Sequence, residues 1–223
     1  MIVRLRMEIQ DKIGNYINYY FDTIDTHQPY AMATNNAREW VKLNYKGADY
    51  EYIAKPRMIE RSDLHFRYPV VSKRASTPGF YIHKNGEVVG AWYAEAMVCR
   101  NEGFFKKKLL LDVFQLFNHS YMMFKVGFRK ENSHYYCIYN DHNQLISIIE
   151  RHNYYDDGYR ATLYVEDDEN MLLTLLAATR EMILIPGGPM EGTDTSAGLY
   201  VSRYEEEMEL FNRDFINRVL AQY

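Results

Sequence analysis

Three adjacent lysines, Lys106, Lys107 and Lys108, follow the aromatic pair Phe104 and Phe105, and a second basic pair, Lys73 and Arg74, lies upstream. Ammonium groups beside aromatic rings suit an anionic ligand, and near an anionic membrane each is worth about 1 kcal/mol. The competing explanation is that lysines at a strand edge keep sheets from pairing edge to edge. Other side chains have reactive types but not the spacing that chemistry needs. Cys137 follows His134 by three residues, an odd offset that sends two strand side chains to opposite faces, so they cannot act together as nucleophile and base. His142 and His152 belong to no metal-ligand pattern, and no metal is expected. Asp156 and Asp157, and Asp167, Asp168 and Glu169, suit a turn and a helix start. A general acid and base would need two carboxyls in different environments. Gly187, Gly188 and Gly192 lack the Lys-Ser/Thr ending of a phosphate-cradling loop. No catalytic residue and no cofactor is assigned.

The elements that must position these residues are written in a chain of 223 residues, 47% hydrophobic and 25% charged, which suits a packed domain. Its 21 tyrosines and 11 phenylalanines favour sheet, where a flat ring fits a half-buried pleated surface. Charges at Arg4, Arg6, Glu8 and Asp11 interrupt the start of the chain, so no secretory signal is expected there. The most apolar stretch, 171–186, is shorter than the roughly 20 residues of a membrane span. With two separated cysteines and no CxxC, a reducing cytoplasm is the expected compartment. The net charge of −4 conceals blocks: residues 55–130 carry 14 basic and 6 acidic side chains, residues 131–223 carry 6 and 17. Neighbouring segments can neutralise one another in the fold, and the acidic remainder argues against a nucleic-acid partner.

Ile9, Ile13, Tyr16, Ile17, Tyr20, Phe21 and Ile24 recur at three- and four-residue spacing and predict an amphipathic helix over 7–24. Residues 30–63 are ambiguous between a short helix and strands. From Leu64 the period becomes two. Asn85-Gly86 between apolar runs predicts a tight hairpin, and the polar turn Asn140 to Asn143 predicts another. Further strands are expected at 109–117, 121–128 and 159–165. Beyond them the Leu-rich run from Met171 to Ile185 predicts a helix apolar on nearly every side, which must be enclosed. Ser202 and Glu205 form a capping-box pattern, and Met208, Phe211, Phe215 and Val219 make one apolar stripe of a C-terminal amphipathic helix.

Antiparallel strands running into an enclosed apolar helix resemble the tubby C-terminal domain and its LURP-one-related relatives, in particular bacterial tubby-like domains of unknown role. The resemblance rests on 135–184, from Tyr136-Cys137-Ile138-Tyr139 through Tyr159–Val165 to the Leu-rich helix, and on the hairpin around Asn85-Gly86. It covers about residues 64–185. It implies an α+β fold in which a closed antiparallel β-barrel surrounds a buried hydrophobic helix, here with added N- and C-terminal amphipathic helices. The expected division is a helical extension over 1–63, the barrel with its helix over 64–185, and a loop and helix over 186–223. Functionally the resemblance implies binding, and tubby itself holds phosphoinositide head groups on basic surface residues. No family binding residue is carried over.

The expected function is therefore a cytosolic, non-catalytic binding module. A protein partner, or a second copy of the chain, would use the stripe of Met208, Phe211, Phe215 and Val219. The alternative is an anionic-lipid surface built from Lys106, Lys107, Lys108, Lys73 and Arg74. A further alternative is an enzyme whose acids or histidines converge only in the fold.

Overall fold

The computed structural model describes residues 1–9, 16–24, 29–36, 40–53, 55–102, 105–131, 133–156, 159–183 and 201–223. Six strands come first: β1 (Ile2–Ile9), β2 (Tyr16–Thr23), β3 (Pro29–Asn36), β4 (Trp40–Tyr45), β5 (Ala48–Ile53) and β6 (Arg57–Glu60). Seven more follow a segment over 61–75: β7 (Ser76–Lys84), β8 (Glu87–Glu102), β9 (Phe105–Leu116), β10 (His119–Gly127), β11 (Ser133–Tyr139), β12 (Leu145–Asp156) and β13 (Tyr159–Val165). Within β1–β5 consecutive strands pair antiparallel, as do consecutive strands within β7–β13. Pairing of β1 with β13 and of β5 with β7 closes twelve strands into a barrel. One edge of β7 is shared, with β5 beside residues 82–84 and β6 beside 76–79.

Closure gives the sheet an inner face that is apolar throughout and an outer face that is apolar mainly over β7–β13. Residues from all twelve barrel strands, among them Val3, Phe21, Leu43, Tyr52, Phe114 and Leu163, make one inner core. Helix α1 (Met171–Ile183) contributes Met171, Leu173, Leu175 and Leu176 to the same cluster. Two polar ties hold it, Tyr52 donating to the Leu176 carbonyl at 3.2 Å and Thr174 to Ser147 at 2.9 Å. The outer core forms where β7–β13 are covered by the 61–75 segment and by the C-terminus, with α2 (Glu205–Met208) and α3 (Arg213–Leu220).

The expected α+β class, a barrel built around one helix with amphipathic helices added at both ends, is corrected. The chain is mostly sheet and its helices are small. Of the helix predicted over 7–24, residues 10–15 lie outside the described residues, and β1 and β2 occupy the described parts instead, with Tyr19 and Phe21 on the inner face. The physical reason is that Val3, Leu5, Tyr19 and Phe21 alternate with outward Arg4, Arg6, Asn18, Tyr20 and Asp22, and the apolar residues of this stretch also fall at three- and four-residue spacing, so spacing alone does not separate strand from helix. What discriminates is residue type, because Ile, Tyr and Phe prefer the pleated surface. The C-terminal stretch forms helices of four and eight residues rather than one continuous helix. The sheet also runs across the expected boundary at 63/64, since β1 and β5 complete the barrel.

Tight turns occur where the sequence predicted them. Asn85 and Gly86 both adopt positive φ, 49° and 88°, and Asn143 does so at 61°. Gly90 has a different necessity, because a Cβ there would lie 2.2 Å from the Gln115 carbonyl oxygen of the adjacent strand.

Candidate functional site

The segment 61–75 crosses the outer face of the barrel as a strap. Its alternation explains its course: Leu64, Phe66, Tyr68 and Val70 pack into the outer core, while His65, Arg67, Pro69 and Val71 face outward. Phe66 stacks on Phe124 with ring centroids 5.0 Å apart and meets Tyr139 edge-on at 5.5 Å. Main-chain bonds to β8 hold one end, from Val98 N to Pro69 O (2.9 Å) and from Val71 N to Ala96 O (2.8 Å). At the other end Ser62 N donates to the Tyr93 hydroxyl at 3.0 Å, while Ser62 Oγ receives Gln115 Nε2 and Ser120 Oγ at 2.8 and 2.6 Å.

Between the two ends of the strap lies a cleft of about 290 Å³, lined by Arg61, Ser62, Ser72, Lys73, Arg74 and Glu95 together with neighbouring strap residues. Arg61 pairs through Nη1 with Glu95 Oε2, and Glu95 Oε1 accepts from the Ala96 amide at 2.9 Å. Arg61 Nε is buried without an acceptor. Lys73 and Arg74 are exposed. The rim also carries Glu60 and Asp63, of which Asp63 lies 3.6 Å from His65.

The structure separates the other predicted residues. Lys106 is in β9, with its side chain outside the described residues. Lys107 shares the outer face with Leu109 and Leu111, where its ammonium sits 5.3 Å from the Tyr204 ring centroid. Lys108 is exposed and takes the opposite parity, as strand geometry requires, so the run is not one patch. Lys73 and Arg74 follow the strap toward Glu95, whereas Lys108 pairs with Val98 nearer the tip of the long β8–β9 hairpin. Near that tip Arg100 binds Glu206 of α2 at 2.8 Å, a direct contact between the basic and acidic blocks.

The predicted partner stripe is also redistributed. Phe215 and Val219 are fully buried in the outer core, and Phe211 packs on Tyr135 at 4.3 Å. Met208, 39% exposed, alone presents a substantial surface. The stripe is apolar because it covers the chain's own barrel.

His134 and Cys137 lie on opposite faces, His134 bonded to the Tyr136 hydroxyl at 3.2 Å and Cys137 in the outer core. Both thiols are free, and burial pushes both up, Cys99 additionally through Glu206. Neither is set up as a thiolate nucleophile. No group of three or more His, Cys, Asp or Glu side chains that could hold a metal occurs among the described residues. Within them, no helix is long and apolar enough to cross a membrane.

Sequence reasoning missed Arg61 and Glu95. They stand 34 residues apart and meet only because β6 and the strap return over β8, so no local spacing announces them. The fold thus defines an antiparallel barrel whose outer face carries a strapped cleft with cations at its rim. No protein-family model, curated protein or solved structure matches the chain.

Proposed function

We propose that the protein is a non-catalytic binding module of the cytoplasm that takes an acidic segment of a protein partner into the cleft of Arg61, Lys73 and Arg74. The observation that carries this reading is the buried Arg61 Nε, which has no acceptor. A buried donor left unpaired costs about 1–3 kcal/mol, and more when it is charged. A carboxylate entering between Lys73 and Arg74 supplies the acceptor in a charge-assisted bond, for which a guanidinium fork is well shaped. The cleft's size suits one or two acidic side chains of an extended segment rather than a folded surface. Free cysteines suit the compartment. The tubby-like kinship belongs to the same proposal, supported by the closed antiparallel barrel and by α1 sharing its inner core. Self-association through the C-terminal stripe is not proposed, because Phe215 and Val219 are already covered.

Fluorescence anisotropy of a labelled Glu-rich peptide tests this reading. Binding should weaken about tenfold or more in a Lys73→Glu/Arg74→Glu variant and fall with added salt. Equal binding by the variant and the unaltered protein would sink it.

A second reading, the anionic lipid surface, is favoured by Leu110, which is 75% exposed and shares a strand face with Lys108. Co-sedimentation with phosphatidylserine vesicles should then be lost on Leu110→Glu while the peptide binding persists.

A further inference from the structure

Where β1 lies beside β13, the outer surface holds a second cleft, of about 190 Å³. Arg4, His152, Thr162 and Tyr164 line it, and Ile2, Ile24 and Leu220 give it an apolar side. Register builds it: Arg4 stands directly across from Thr162, which stands across from Glu150. A bulge between Leu5 and Arg6 brings Tyr159 to the same surface, where the Arg4 guanidinium lies 5.4 Å from its ring centroid.

The nearby acids bind other groups. Asp22, across from Arg4 on β2, binds Arg6 through Oδ2 at 2.6 Å, while its Oδ1 is buried with no hydrogen-bond partner. Glu150 accepts from the Tyr164 hydroxyl at 2.9 Å and lies 4.0 Å from His152 Nδ1. His152 Nε2 and Thr162 Oγ1 are hydrogen-bonded to each other at 3.0 Å. None of the described lining residues is acidic. What remains is a half-enclosed cation with an apolar wall beside it.

We propose that this cleft binds a small organic carboxylate, with its oxygens on the Arg4 guanidinium and its short apolar body against Ile2, Ile24 and Leu220. The volume sets the size. It is below the roughly 300–1,000 Å³ of drug-sized sites and, at about 30 Å³ per water, displaces about six waters. That room fits an acid of a few carbons and excludes a long acyl chain. The C-terminus builds the wall: Leu220 comes from α3, and the Ile2 amide donates to the Tyr223 hydroxyl at 2.9 Å, holding the two chain ends together.

Isothermal titration of the full chain with hexanoate, and with hexanamide as the uncharged control, tests the assignment. Hexanoate should bind, and hexanamide about tenfold more weakly, because a charge-assisted pair is replaced by a neutral one. Arg4→Gln should lose affinity by a similar factor with an unchanged melting temperature. Leu220→Trp, at an exposed position, should fill the cleft and abolish binding. The Lys73→Glu/Arg74→Glu protein should bind hexanoate as before, which separates this cleft from the strap. The assignment is overturned if the unaltered chain takes up no hexanoate, if hexanamide binds equally, if folded Arg4→Gln retains full affinity, or if the strap variant loses it. Should Arg4→Gln not fold, the Leu220→Trp protein decides, and full affinity there overturns the proposal as well.

Discussion

Phe117 adopts a left-handed backbone, with φ of 48°, in the turn between β9 and β10, and it is followed by Asn118 at 69°. Two successive positive φ values are what a tight hairpin turn demands. Asparagine tolerates that conformation through its own local hydrogen bonding, whereas an aromatic residue is strained there by about 1–2 kcal/mol. Phe117 is half exposed, so little packing is lost on replacing it. Phe117→Asn is accordingly expected to stabilise the protein by roughly 0.5–1 kcal/mol, a net figure after the lost ring contact. A urea midpoint that stays put or falls would show that the ring contributes more than the strain costs. Arg61 illustrates the opposite arrangement, a partly buried side chain whose Nε is buried and whose bonding is completed only in part by Glu95. At this scale the sequence displayed the Asn85-Gly86 turn and the opposite faces of His134 and Cys137, because both follow from adjacent residues. It concealed Arg61 and Glu95, whose encounter depends on the path of the whole strap.

The C-terminal element, residues 201–223, covers part of the outer face. Tyr139 reaches from β11 to the Leu210 carbonyl at 2.7 Å, and Arg213 and Arg218 bind Glu131 and Glu166 across the packing. Phe215 sits beneath these contacts and is wholly excluded from solvent, while Met208 is not. Phe215→Ala should therefore lower the unfolding free energy by about 3–5 kcal/mol, the range for deleting a buried ring, whereas Met208→Ala should change it by less than about 0.5 kcal/mol. Equal, small effects at both positions would mean that the helix is dispensable to the barrel and that its stripe serves some other surface. The spacing of Met208, Phe211, Phe215 and Val219 did reveal that one side must be buried. It could not say against what, since an apolar stripe reads the same whether it meets its own chain or another.

For the whole barrel, the seam between β1 and β13 is clasped at the end where α1 begins. The Met1 ammonium donates to the Val165 carbonyl, Tyr30 donates to Asp168 Oδ1 at 2.8 Å, and Lys46 reaches Asp168 Oδ2 at 2.7 Å. The Lys46 bond first, and the Tyr30 bond second, hold the Asp168 carboxyl below its ordinary value. A carboxylate with a depressed folded-state pKa stabilises the protein above its unfolded value, about 3.9, and that contribution disappears as pH falls through the lower folded value. Asp168→Asn should thus be less stable than the unaltered protein at pH 6, with the gap closing below about pH 4. Thermal unfolding across that range checks it, and a gap that holds steady at pH 3 would show that the charge is immaterial to the clasp. The effect is modest because the pair is about half exposed.

What the amino-acid order determined by itself was local: tyrosine-rich strands from β7 onward, their tight turns, and a Leu-rich helix from Met171, each set by side-chain type and near spacing, while the alternation over 64–71 belongs to the strap rather than to a strand. What only the tertiary structure decided was that β1 to β6 join the same sheet, that Lys107 meets Tyr204 on the outer face while Lys108 takes the opposite one, and that Lys73 and Arg74 come beside Arg61 in a cleft at the strap. Closure is the reason. Once β5 meets β7 and β1 meets β13, every strand has an inner face, and under the strap and the C-terminal helices much of β7–β13 gains a covered outer face as well, where periodicity no longer tells inside from outside.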